Sequence, residues 1–90
     1  MKTGARIIVK GLVQGVGYRY FCRKRAGEFG IFGYAKNLFN GDVELEIEGE
    51  KNMIGDFIKE LKLGPFNSNV KTVTAKEIQF TNKYSEFITY

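Results

Sequence analysis

The chain of 90 residues has no histidine, no tryptophan, a single cysteine and a single proline. Without histidine it lacks the usual general base near neutral pH and the commonest zinc and haem ligand. A lone Cys22 excludes an intrachain disulfide and a paired-cysteine redox site. The two serines, Ser68 and Ser85, lie outside any nucleophile-elbow pattern. Apolar runs stay at about six residues or fewer, far short of the ~20 that a membrane span needs. The opening segment, Met1 to Arg6, has no hydrophobic core of the secretory kind, so the cytoplasm is the expected compartment. Hydrolytic chemistry in this chain has to work without an imidazole, a thiolate pair or a zinc ion.

What is present suits one small folded domain spanning residues 1–90. Hydrophobic residues make up 43% of the chain and charged residues 27%, enough apolar material for a core and against disorder. The net charge of +4 is unevenly placed. Residues 1–40 hold eight Lys and Arg against the single Glu28, whereas residues 41–50 hold five acids and no base. An anionic ligand near the first forty residues fits this pattern better than a long nucleic-acid surface.

Residues 5–13 are short and β-branched, as a strand should be. After a glycine-rich loop the period changes. Tyr18, Cys22, Ala26 and Phe29 recur at helical spacing, with Arg23, Lys24 and Glu28 on the outer side and Gly30 as a left-handed stop. Residues 31–38 form a second strand. Asn40-Gly41 then signals a two-residue hairpin with both residues at positive φ. Residues 42–48 alternate, with Val43, Leu45 and Ile47 on one face and acids on the other, and Gly49 is expected to end that strand. A second amphipathic helix covers 51–62 and stops at Gly64-Pro65. Residues 70–78 make a fourth strand whose broken alternation suggests a bulge, and 86–90 a short fifth. The order β-α-β-β-α-β plus a last strand predicts an α+β two-layer sandwich, with two helices on one face of an antiparallel sheet. Ala26, Phe29, Val43, Leu45, Ile47, Ile54, Phe57, Ile58 and Leu61 are expected in its core.

The loop Gly11-Leu-Val-Gln-Gly15-Val-Gly17 joins a strand to a helix start. Its N–H groups and the first helical turn can form an anion nest, with Arg19 supplying charge and a planar fork of donors. The same glycines also suit a plain strand-to-helix turn. The loop is not a nucleotide motif: Tyr18-Arg19 stands where a P-loop needs Lys-Ser/Thr, and the spacing GxxxGxG is not GxGxxG. Asn37, at the end of the second strand, is a second candidate, although a strand-end asparagine also serves as a simple turn former. Cys22 on the inner helical stripe suits a small core side chain better than a reactive thiol. Glu44, Glu46 and Glu48 share one strand face, and no histidine accompanies them, so they are expected to be a solvated outer face.

The run Gly11-Leu12-Val13-Gln14-Gly15-Val16-Gly17-Tyr18-Arg19 resembles the first signature of the acylphosphatases. The run Gly33-Tyr34-Ala35-Lys36-Asn37-Leu38-Phe39-Asn40-Gly41-Asp42-Val43, closed by Gly49, resembles the second. The element order extends the resemblance over nearly the whole chain. It implies a ferredoxin-like fold with sheet order 4-1-3-2, the last strand lying beyond strand 2. It also implies a monomeric enzyme that hydrolyses the carboxyl-phosphate bond of acyl phosphates without metal or cofactor. Inorganic phosphate would be product and inhibitor, and neither nucleic acid nor membrane a partner. By the same resemblance Arg19 and Asn37 are the catalytic residues. Gln14, Gly15, Val16, Gly17, Tyr18 and Arg19 form the phosphate-binding loop. Tyr18 departs from a frequent phenylalanine, and Leu38 from a frequent small polar residue.

Two other readings share this element order. An RNA-binding module would stack bases on sheet aromatics, for which Tyr34 is the candidate, but the acids of the third strand oppose it. A non-catalytic anion-binding interaction domain would use the glycine loop alone.

Overall fold

The computed structural model describes residues 1–90. The elements are β1 (Lys2–Leu12), α1 (Tyr18–Phe29), β2 (Phe32–Asn37), β3 (Val43–Glu50), α2 (Lys51–Leu63), β4 (Asn69–Ile78) and β5 (Phe87–Thr89). They form one five-stranded sheet of order β4-β1-β3-β2-β5. β1 runs antiparallel to β3 and β4, β2 antiparallel to β3, and only β5 is parallel to its neighbour β2. Both helices pack on one face, giving the ferredoxin-like two-layer sandwich. No helix is long and apolar enough to cross a membrane.

Period-two alternation decides which side chains meet the helices. Ala5, Ile7 and Val9 of β1 pair with Ile47, Leu45 and Val43 of β3, and all six are buried. Ile54, Phe57 and Leu61 from α2 and Tyr18, Cys22 and Ala26 from α1 close over them. Phe29 and Ile58, expected in the core, are half-buried at its rim. Cys22 has no exposure, and burial pushes its thiol up to about 12, so it acts as a small hydrophobe. Gly30, with φ of 66°, stops α1, and the N–H of Ile31 returns to the carbonyl of Ala26 at 2.9 Å. The bulge lies where Lys10 and Gly11 face Thr72 and Val70, which leaves Lys71 as the extra residue of β4.

Three expectations are corrected. The third strand does not end at Gly49 but runs on to Glu50, directly into α2. A Cβ at Gly49 would lie 3.3 Å from Ile31 Cγ1, so the bare α-carbon serves packing inside the strand rather than termination. The hairpin between β2 and β3 is not a two-residue turn. The Leu38 N–H donates to Asp42 O at 2.8 Å and the Gly41 N–H to Leu38 O at 3.2 Å, enclosing three residues. Of the Asn40-Gly41 pair only Gly41 has positive φ, as expected for a type I turn followed by one left-handed residue. Asn40 instead accepts from the Asp42 N–H at 3.0 Å, an Asx bond that competes with the tighter turn.

The acid row is the third. Glu46 and Glu48 are 4% and 3% exposed, not solvated. The segment from Gln79 to Glu86 crosses the sheet face opposite the helices and covers them. Glu48 accepts from the Thr81 N–H at 2.8 Å, the Thr81 hydroxyl at 3.2 Å and the Lys83 N–H at 3.1 Å. Glu46 accepts from the Tyr84 hydroxyl, from Arg6 at 2.6 Å and from Lys83 at 2.9 Å. The Tyr84 hydroxyl, with Arg6 and Lys83, holds the Glu46 carboxyl down at about 2 against the opposing effect of burial. Tyr34, the one candidate for stacking a base, donates to Glu44 at 2.8 Å and lies edge-on to the rings of Tyr84 and Tyr90.

Candidate active site

Arg19 and Asn37 begin far apart in topology. Arg19 is on the first turn of α1, which follows β1, while Asn37 ends β2, and β3 runs between those strands. Gln14 bridges the gap. Its Nε2 donates to the carbonyls of Leu38 at 2.7 Å and Asp42 at 2.9 Å, which ties the glycine loop to the β2–β3 turn. The side chain of Gln14 therefore positions the loop and leaves only its backbone to a ligand. Arg19 and Asn37 then line one cavity of about 280 Å³, together with Gly15, Gly17 and Tyr18 of the expected loop. Val16 packs against the core instead.

The loop's geometry follows from its glycines. Gly15 and Gly17 have φ of 73° and 79°, left-handed values that L side chains rarely adopt. Gly17 is also the N-cap residue of α1. It supplies no side-chain cap, and no acidic residue occupies the first turn. The first helical bond runs from the Phe21 N–H to Gly17 O at 3.0 Å, so the preceding N–H groups of the turn have no partner within the helix. Uncapped N–H groups at a helix start carry partial positive charge and favour an anion.

Tyr18 fills the place where phenylalanine is frequent in the family, and its hydroxyl has a task. The ring is 1% exposed, and the hydroxyl donates to Leu61 O at 2.7 Å, satisfying a carbonyl in the last turn of α2. Burial raises its pKa, which keeps it a donor. This bond ties the start of α1 to the end of α2.

The Arg19 guanidinium donates to the backbone oxygen of Tyr90. Tyr90 is fixed in turn: its N–H donates to Ala35 O at 2.9 Å, and its ring stands edge-on to Tyr34 at 5.7 Å. The residue after β5 thus holds the arginine from across the sheet edge. Asn37 is in a different state. Its Oδ1 is buried and has no hydrogen-bond partner in the protein. A buried acceptor of that kind is costly unless a ligand or water supplies a donor.

Arg23, Tyr20 and Thr89 also line the cavity, and the sequence reading did not place them there. Arg23 was assigned to the outer side of α1, where it is exposed, but it stands at the cavity wall. The available signal was its place four residues after Arg19, one helical turn on. Thr89 had no local signal, because the docking of β5 beside β2 brings it in. It puts a hydroxyl-bearing residue on the wall, whereas Leu38 has none. No carboxylate lines the cavity. Arg6 and Arg25 form ion pairs with Glu46 and Glu60, whereas no acidic side chain pairs with Arg19, which meets the backbone oxygen of Tyr90, or with Arg23. The wall therefore carries two guanidinium groups that no acidic side chain offsets, uncapped amides, and Asn37 with its unpartnered Oδ1. No three Cys, Asp or Glu side chains gather anywhere as a metal site.

Over nearly its whole length the chain is similar to acylphosphatases. The family model "Acylphosphatase" matches residues 5–89. An acylphosphatase of Dehalococcoides mccartyi is 46% identical over 83 residues, covering 91% of each chain. One from Chlorobaculum tepidum is 38% identical over 81 residues, 90% of this chain and 88% of the relative. The crystal structure of acylphosphatase from Bacillus subtilis matches with a TM-score of 0.94 at 34% identity, covering 100% of this chain and 99% of that one. With a family model spanning all but its extreme residues, the chain belongs to the acylphosphatase family.

Proposed function

We propose that this cavity hydrolyses acyl phosphates to a carboxylate and inorganic phosphate, with Arg19 and the 14–19 loop holding the phosphoryl group and Asn37 holding the attacking water. The observation that carries the proposal is the buried, unpartnered Oδ1 of Asn37, a residue on the same wall as an anion nest that no acidic side chain lines. Family membership supports the reaction itself.

The chemistry suits a site without histidine. Water oxygen forms a bond to phosphorus as the bond from phosphorus to the acyl oxygen breaks. The electron pair leaves with a carboxylate whose conjugate acid has a pKa of about 4–5, so no general acid is needed. A phosphate oxygen receives the proton of the attacking water. Charge on the equatorial oxygens is stabilised by the Arg19 fork and the helix-start amides. The amide of Asn37 is not basic, and it acts by placing the water in line.

The purified protein is expected to hydrolyse benzoyl phosphate in the presence of EDTA, with inorganic phosphate as a competitive inhibitor. Ordinary phosphate monoesters should be much poorer substrates, because an alkoxide leaving group needs an acid or metal assistance. No turnover of benzoyl phosphate by the folded protein would leave a non-catalytic anion-binding domain as the better reading.

A further inference from the structure

In-line displacement sets where the acyl group must go. The attacking and leaving oxygens lie on opposite sides of phosphorus. With the water on Asn37, the leaving acyl group points away from Asn37 and from its neighbours Leu38 and Phe39. The cavity wall that does not belong to that strand end or to the nest includes Arg23 and Tyr20 of α1. Arg23 sits four residues beyond Arg19, so its backbone is about 6 Å further along the helix axis from the nest. It faces the cavity without a carboxylate partner, unlike Arg25 two residues on, which binds Glu60 at 2.8 Å and Glu28 at 3.1 Å.

We propose that Arg23 is a specificity residue for the acyl end of the substrate, favouring acyl phosphates whose acyl group carries a second negative charge, a carboxylate or a phosphate. The inference rests on the reading of the cavity as an acyl-phosphate site. It adds an element for the acyl end to the one that Arg19 and the loop supply for the phosphoryl end. Arg19 is held by the Tyr90 carbonyl and serves the nest, whereas Arg23 is free to meet a charge at the far end of the substrate. Its exposure makes the attraction modest and sensitive to salt.

The test compares 4-carboxybenzoyl phosphate with 4-carbamoylbenzoyl phosphate, which are matched in shape and differ by one charge. The readout is the ratio of their kcat/KM values in the full-length wild type, Arg23→Gln and Arg23→Glu, with folding checked by circular dichroism. Arg23→Gln should lower the ratio roughly threefold, mainly through KM of the charged substrate, and Arg23→Glu should lower it further. In the wild type alone, raising the salt to about 0.5 M should narrow the ratio. An equal ratio in the wild type and Arg23→Gln would overturn the proposal, as would a wild-type ratio indifferent to salt. A loss of inorganic-phosphate inhibition in Arg23→Gln as large as the loss of kcat/KM would assign Arg23 to the phosphoryl group instead. If the wild type hydrolyses neither compound, the acyl-phosphate reading itself fails, and this inference falls with it. Hydrolysis of both with an unchanged ratio sinks the role of Arg23 alone.

Discussion

Arg19 and Asn37 share a wall but differ in what surrounds them, and that difference separates their roles. Arg19 is a charge among uncapped amides, and under the proposed function it would attract the phosphoryl group before and during reaction alike. Arg19→Ala should weaken inhibition by inorganic phosphate and abolish turnover together. Asn37 offers a neutral acceptor that the protein leaves unused. Asn37→Ala should lower kcat by roughly 100-fold or more while the inhibition constant for phosphate stays near the wild-type value. A variant that keeps wild-type turnover at saturating benzoyl phosphate would show that the water is held elsewhere.

At the level of elements, the site depends on ties between segments that are distant in sequence. Gln14 is the clearest of them, with two bonds to the β2–β3 turn. Both acceptors keep another partner, since Leu38 O also receives the Gly41 N–H and Asp42 O the Leu38 N–H. Gln14→Ala should therefore cost only about 1 kcal/mol, a melting shift of about 4–8 °C for a domain of this size. Its effect on kcat should be larger than that loss suggests, because the loop is no longer held against Asn37. Thermal melts and kcat measured on the same preparation check both halves. The order of the elements and the buried faces of α1, β3 and α2 were legible in the sequence, because periodicity is a local signal; Arg19 and Asn37 were candidates from two separate motifs, and the fold brings both to one cavity. The hairpin was misread because Asx bonding at Asn40 is invisible to a dipeptide rule that sees only Asn-Gly. Glu46 and Glu48 were misread because residues 79–86 have no repeating pattern, so nothing announced that they lie across the sheet. Arg23 and Thr89 reach the cavity through helix rotation and strand docking, which only the assembled fold reveals.

At the scale of the whole molecule, the covered Glu46 makes stability depend on pH. The Glu46 carboxyl is held near 2 in the folded protein against an ordinary 4.5. A lowered folded pKa means that its contribution is fully present above about pH 5 and is lost as pH falls through the folded value. Unfolding free energy should therefore decline from about pH 5 toward pH 2, and Glu46→Gln should flatten that decline while lowering stability at neutral pH. Denaturant titrations at several pH values measure the slope, and equal slopes in the two proteins would remove Glu46 from the account. The sheet order has its own consequence in time. β1 leads the chain yet lies inside the sheet, pairing with β3 and, across more than seventy residues, with β4, as Gly4 meets Ile78. Such distant pairings slow folding, to the range of milliseconds to seconds. On a growing polypeptide, β1 waits with open edges until its partners are made. The backbone oxygen that holds Arg19 belongs to Tyr90, and Thr89 precedes it, so the cavity wall is finished only after β1 to β4 have all been synthesised. Turnover then reports that the chain was made through to residue 90: a product cut short before β5 retains β1 to β4 but leaves its arginine unmoored.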